Sequence, residues 1–183
     1  MANDTAEPAG IPTSAAGLGT GRWTLDADAS AVGFRHKSMW GLITMTGTFA
    51  RISGEGTLDA DGSGRGTLVV DAGSVDTTKK KLDTHLLSKD FFDVDKHPEF
   101  TFEADGVVAD GAGNAEVTGR LTVLGRTRPL AFTARVTSTG ADDVTLTGEV
   151  HVDRNDFGMA WKNPGGMMRG LTVVTLRTRF TRA

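Results

Sequence analysis

The chain has 183 residues, 38% hydrophobic and 23% charged, which suits a single domain with one core. Its 20 basic and 23 acidic residues leave a formal charge of −3 and no electrostatic drive toward nucleic acid or an anionic membrane. The absence of cysteine excludes disulfides, thiolate metal sites and a cysteine nucleophile, and no apolar run approaches the roughly 20 residues of a membrane helix, so stable membrane insertion is not expected.

Residues 1–20, MANDTAEPAGIPTSAAGLGT, are small and polar, the composition of a disordered tail that adds nothing to a core. They carry no basic n-region and no apolar segment of signal-peptide length, so the expected location is the cytoplasm. A different native N-terminus would make the protein secreted or periplasmic instead. The folded domain is expected over 21–183.

From Trp23 onward, short alternating runs are separated by Gly, Asp and Asn. Ala31–Lys37 is a candidate strand. In Ile43–Arg51 the residues Ile43, Met45, Gly47 and Phe49 share one face and Thr44, Thr46 and Thr48 the other, the period of a half-buried strand. Gly54–Asp59 and Gly64–Asp71 flank the hairpin signal Asp61-Gly62-Ser63. Thr78–Val94 breaks the pattern: Leu82, His85, Leu86 and Lys89 follow helical spacing, predicting a helix over Lys80–Leu87 and a tight turn through Ser88–Asp93. Strands resume at Glu99–Ala104, at Val117–Val123, at Leu130–Val136, at Val144–Val152 and at Leu171–Phe180, with a long loop over Asn155–Gly170. The 24 glycines have no three-residue period and fit turns and bulges between strands. Eight or more strands with one short helix make a barrel or a sandwich. The flat or flexible inner residues Phe34, Met45, Phe49, Phe100, Phe102, Phe132 and Phe157 favour a barrel, which side chains fill or which holds one apolar ligand.

Catalytic and metal signals are weak. His36, His85, His97 and His151 form no HxH, HxxxH or HExxH pair, so no metal site is expected. There is no GxSxG, and no GxGxxG leads into a helix. Asp90, Asp93 and Asp95 lack the glycine and final Glu of a calcium loop and are expected to cap a turn. His85, beside Asp83, is expected to pack or cap the helix. Lys79-Lys80-Lys81 is either a solvated helix face or a ring that meets an anionic head group at a cavity mouth. Phe91-Phe92 is either core packing or part of a ligand tunnel.

These motifs, in order, resemble the YceI-like family of lipocalin-like proteins. The residues that carry the resemblance are Trp23-x-Leu25-Asp26, Ser30-x-x-x-Phe34, Gly47-x-Phe49 and Ser74-Val75-x-Thr77. They continue through Asp83-x-His85-Leu86-x-Ser88-x-Asp90-Phe91-Phe92-Asp93 and Pro98-x-Phe100-x-Phe102. The last are Gly119-x-Leu121-Thr122-x-x-Gly125-x-Thr127-x-Pro129 and Arg154-x-Asp156-Phe157-Gly158. The resemblance implies an all-β fold, an extended eight-stranded antiparallel lipocalin-like barrel with one short helix over one side. It also implies that a long isoprenoid or similar lipid is held inside. Several members form dimers, so a homodimer is among the expectations. Two departures stand out: Ala29 occupies a position where members often have His, and Arg169-Gly170-Leu171 lacks a customary acidic residue. Head-group recognition at the mouth is therefore expected to differ.

The expected function is binding of a hydrophobic lipid ligand, an isoprenoid quinone or polyprenyl lipid, for storage or transport. No cofactor is expected beyond such a bound polyisoprenoid or isoprenoid quinone. The expected ligand contacts are Phe34, Met45, Phe49, Leu86, Phe91, Phe100, Phe102, Leu121, Phe132, Phe157 and Met159. Two rivals remain open. One is an enzyme acting on such a lipid, with Asp83, His85 or Asp156 in acid–base roles. The other is a stress-related interaction module with a solidly packed barrel.

Overall fold

The computed structural model describes residues 17–38, 42–159 and 168–183. Among the described residues, eleven strands form one sheet in which every pairing is antiparallel. They are β1 (Gly21–Leu25), β2 (Ala31–Ser38), β3 (Ile43–Phe49), β4 (Ile52–Leu58), β5 (Ser63–Asp71), β6 (Val75–Asp76), β7 (Glu99–Ala109), β8 (Asn114–Val123), β9 (Arg126–Gly140), β10 (Asp143–Asp153) and β11 (Met168–Arg182). The single α-helix among the described residues is α1 (Lys80–Leu87), with the bounds the sequence pattern predicts.

Eight strands close the barrel in the order β1-β4-β5-β7-β8-β9-β10-β11, with β11 returning to β1. β11 is long enough to hold two partners on one edge. Phe180–Arg182 pair with β1, while Met168–Arg177 pair with β2. β2 continues to β3 and β6, a three-stranded flap that leaves the closed ring at one end. The chain crosses from β1 to β2 through a 3-10 turn, Ala27–Ala29. That crossing is spliced into the β11 ladder at Arg179. The Asp26 N–H donates to the Arg179 carbonyl at 2.8 Å. The Ser30 hydroxyl accepts from the Arg179 N–H at 2.9 Å and donates to the Asp26 carbonyl at 2.6 Å.

Alternation explains the strands. In β3 the threonines face solvent while Met45, Gly47 and Phe49 are half-buried on the inner side. Gly47 stands opposite Phe34 of β2, and a Cβ there would lie 2.7 Å from the Phe34 ring, so the missing side chain makes room for that ring. The helix is set by its entry. Asp83 accepts from the Thr77 N–H at 2.8 Å and from the Thr77 hydroxyl at 2.6 Å. Thr78 takes a left-handed φ of 64°. Leu86 is buried, and the aromatic turn after α1 fills the gap between flap and ring. The Phe92 ring centre lies 6.1 Å from Phe49 of β3 and 5.0 Å from Phe100 of β7.

Several boundaries differ from expectation. β7 runs on past Ala104 to Ala109, because Asp105-Gly106 is a bulge in the ladders to β5 and β8 rather than a turn. β9 begins at Arg126 and runs through Pro129, which is tolerated because that half of β9 pairs with β8 and the β10 ladder runs only over Arg135–Gly140. β1 and β6 are too short for the alternation to announce. Of the expected long loop, residues 155–157 belong to the 3-10 turn Arg154–Phe157, which ends at Gly158 with a φ of 80°, and 168–170 are strand. The rest of that loop, 160–167, lies outside the described residues, as do residues 1–16 of the expected tail. Residues 17–20 correct the tail boundary. Leu18 packs against the cluster of Trp23, Ala115, Val136 and Val144. Gly19 donates to the Ala141 carbonyl at 2.8 Å and accepts from the Trp23 indole at 3.1 Å.

Because Ser30 replaces a missing ladder partner, Ser30→Ala strands a partly buried backbone N–H. Urea unfolding should show a loss of about 1–3 kcal/mol. The exposed Thr46→Ala should stay within about 0.5 kcal/mol of the parent. An equal, small effect for both would refute the splice.

Candidate functional site

The barrel encloses a cavity of about 340 Å³, within the size range of small-molecule sites. Its wall is built from the inward residues of neighbouring strands. On β10 these are Val144, Leu146, Val150 and Val152; on β11 they are Thr172, Val174, Leu176, Thr178 and Phe180. Phe34, Met45, Phe49, Leu86, Phe91, Phe100, Phe102, Leu121, Phe132, Phe157 and Met159 all lie on this wall. The rival reading of a solidly packed barrel does not fit this cavity.

Aromatic rings run along the cavity in contact with one another. Phe34 and Phe49 have ring centres 5.8 Å apart, Phe49 and Phe100 5.9 Å, and Phe102 and Phe132 5.8 Å. Three buried clusters follow the axis. Trp23, Ala115, Val136 and Val144 form the first, at the end that β1 closes. Leu25, Val32, Ile52 and Val70 form the middle. Ala72, Val75, Leu86 and Phe92 form the third, under α1, with Phe34, Phe91 and Met159 against it.

The helix end also carries polar groups that the sequence reasoning did not place in the site. His36 is 4% exposed and Arg154 is 6% exposed, and both line the cavity. His36 Nδ1 lies 2.9 Å from the Thr172 hydroxyl. His36 Nε2 and Arg154 Nε and Nη1 have no hydrogen-bond partner among the described residues. The signal was available: His36 stands two residues after Phe34, and Arg154 two after Val152, so each continues the inward face of its strand. Burial, with the Arg154 charge second, holds the His36 pKa below its ordinary value, against a smaller opposing effect of the Leu171 backbone. Burial also lowers the Arg154 pKa, partly offset by Asp153, and a guanidinium still stays charged.

The acid–base candidates do not converge. Asp83 is engaged by Thr77. His85 is exposed and meets the Phe91 ring edge-on at 5.0 Å. Asp156 is exposed on the 3-10 turn. Lys79, Lys80 and Lys81 are exposed and absent from the cavity wall; of the two arginines on it, Arg65 is exposed and Arg154 is buried. Of the acidic trio, Asp93 holds a turn with a φ of 43° and sits 3.8 Å from Lys96. Ala29 lies in the β1–β2 crossing and not on the wall, so that departure touches the splice rather than the mouth. No cluster of metal-ligating side chains occurs among the described residues.

The YceI-like domain profile matches residues 23–180. The chain belongs to the YceI-like family. It is 36% identical over 98 residues to a UPF0312 protein of Ectopseudomonas mendocina, covering 52% of this chain and 51% of that one. It is 33% identical over 134 residues to a UPF0312 protein of Pseudomonas putida strain GB-1, covering 69% of each. The match thus spans about half the length of the Ectopseudomonas relative. Among solved structures, Burkholderia cenocepacia BcnA superposes with a TM-score of 0.76 at 22% identity, covering 85% of this chain and 98% of that one. A polyisoprenoid binding domain from Saccharophagus degradans, implicated in plant cell wall breakdown, gives 0.71 at 17%, covering 88% and 98%. At these identities the likeness shows a shared barrel fold.

The lowered His36 pKa has a consequence for stability. Above the ordinary value of 6.5 both folded and unfolded chains hold the ring neutral, and its contribution is level. As pH falls below that value the unfolded chain takes up a proton that the folded chain refuses, so stability drops, by up to about 1.4 kcal/mol per pH unit. Urea unfolding at pH 7.5 and 5.5 should show a smaller loss for His36→Gln than for the parent. Equal losses would place the pH sensitivity elsewhere.

Proposed function

We propose that this barrel binds one long apolar lipid chain of isoprenoid type, for storage or transport rather than turnover. The observation that carries the reading is the cavity itself, enclosed by a closed sheet and walled by aromatic and aliphatic side chains drawn from ring, flap and helix. The fold shared with the Saccharophagus polyisoprenoid binding domain supports it. Energetics agree. A prenyl unit presents roughly 100 Å² of apolar surface, so each buried unit contributes about 2.5 kcal/mol at about 25 cal/mol per Å². A few units offset the cost of association without strong polar contacts.

Native mass spectrometry of protein purified from its host should retain an apolar lipid of isoprenoid composition. Phe102→Trp narrows the lumen where Phe102 meets Phe132. It should weaken geranylgeraniol binding about tenfold, or about 1.4 kcal/mol, with an unchanged circular dichroism spectrum. A folded variant with full affinity would make Phe102 a core residue only, and bare protein that takes up no prenol would refute lipid binding.

A further inference from the structure

The cavity is apolar along most of its length but not at its helix end. Three adjacent strands, β10, β11 and β2, bring their inward faces together there. Thr172 is paired with Val152 on one side and His36 on the other, and Arg154 follows Val152 by two residues. A guanidinium, an imidazole and a hydroxyl thus meet at one end of an otherwise oily chamber.

Buried polar groups in folded proteins are almost always hydrogen-bonded, and a buried cation without a partner is costly. Arg154 departs from both rules. It is 6% exposed, its Nε and Nη1 donate to nothing among the described residues, and it forms no ion pair there. The neighbouring Asp153 caps the 3-10 turn instead, accepting from the Asn155 N–H at 2.9 Å. His36 Nε2 is equally unpartnered. If Nδ1 accepts from the Thr172 hydroxyl, Nε2 carries the ring proton and becomes a third free donor. A single carbonyl oxygen would take up at most two donors and leave the charge unbalanced. The planar fork of arginine matches the paired oxygens of phosphate or carboxylate and neutralises them.

We propose that Arg154 and His36, the latter oriented by Thr172, bind the oxyanion head group of a lipid whose apolar chain lies in the cavity. This rests on the lipid-binding reading above and adds the class of ligand: a chain ending in phosphate or carboxylate. The chain supplies affinity by burial, and the head group supplies orientation, since the buried cation stands at one end only of the cavity. Arg154 and His36 are binding residues; no bond is made or broken.

The test is calorimetric titration of the full chain, freed of co-purified lipid, with geranylgeranyl monophosphate, geranylgeraniol and inorganic phosphate. The monophosphate should bind at least about tenfold more tightly than the alcohol, and inorganic phosphate alone should not saturate the protein in the millimolar range. Arg154→Met should abolish the preference, so that the variant binds the monophosphate and the alcohol with affinities within about threefold of each other. Arg154→Lys keeps the charge without the fork and should retain part of the preference. Equal affinity of the parent for the two lipids, or a preference that survives Arg154→Met, overturns the head-group assignment and leaves lipid binding standing. Inorganic phosphate that binds as tightly as the lipid phosphate also overturns it, as a site for the free ion. Failure of both lipids to bind the parent removes the lipid reading and this proposal together. Should Arg154→Met not fold, the parent's preference and the Arg154→Lys titration decide.

Discussion

The architecture depends on how one strand serves two partners. β11 pairs along one edge with β10 and along the other with β2 and then β1. Where the partner changes, the ladder would lose its bonds at Arg179. Asp26 and Ser30 fill that position, and the Arg179 side chain returns to Asp26 at 3.1 Å. With the splice in place, β1 closes a ring at one end and β2 leads off into a flap at the other. A ring closed over its whole length would leave no gap for α1 and the Phe91-Phe92 turn to cover. The cavity under the helix is therefore a consequence of the closure and not of the helix.

The flap and the ring are joined by rings rather than by a ladder. Phe92 stands between Phe49 on the flap and Phe100 on the barrel, and these two also meet edge to face at 5.9 Å. Such contacts are non-directional enough to tolerate an occupant between them, whereas a hydrogen-bonded seam is not. The β9–β10 seam behaves in the same way. Its ladder runs over the half nearest Gly140, and no pairing joins Arg126–Ala134 to β10. At the helix end these two seams are held by side-chain packing, while β10, β11 and β2 stay paired around the unpartnered polar groups.

Local pattern made much of this legible and non-local pairing did not. Alternation in Ile43–Phe49 and Val144–Val152 identifies both strand and inner face, and helical spacing alone places α1. The candidate wall residues follow from the same alternation. What local pattern cannot supply is the partner of each strand. The change of partner along β11 is written nowhere in its own sequence, and the two-residue β6 exists only because β3 stands beside it. The polar end of the cavity is a different failure. His36 and Arg154 lie in register with Phe34 and Val152, but a charged or titratable residue is ordinarily assigned to the surface. The strand period alone places both on the inner face.

The same distinction separates what the family shares from what this chain decides for itself. At 17–22% identity the solved relatives retain the barrel, because closure and alternation constrain polarity and not residue identity. A lipid chain makes equally loose demands, since any apolar wall of adequate length will bury it. Selectivity must then come from the few positions where the wall is not apolar. In this chain the buried, charged wall position is Arg154, with His36 and Thr172 beside it. Ala29, a departure from the family pattern, lies outside the cavity and bears on the β11 splice instead. Differences in ligand among members of this fold should therefore be sought at the end of β10 and the row it shares with β11 and β2, where one substitution changes what the chamber can neutralise without disturbing how it closes.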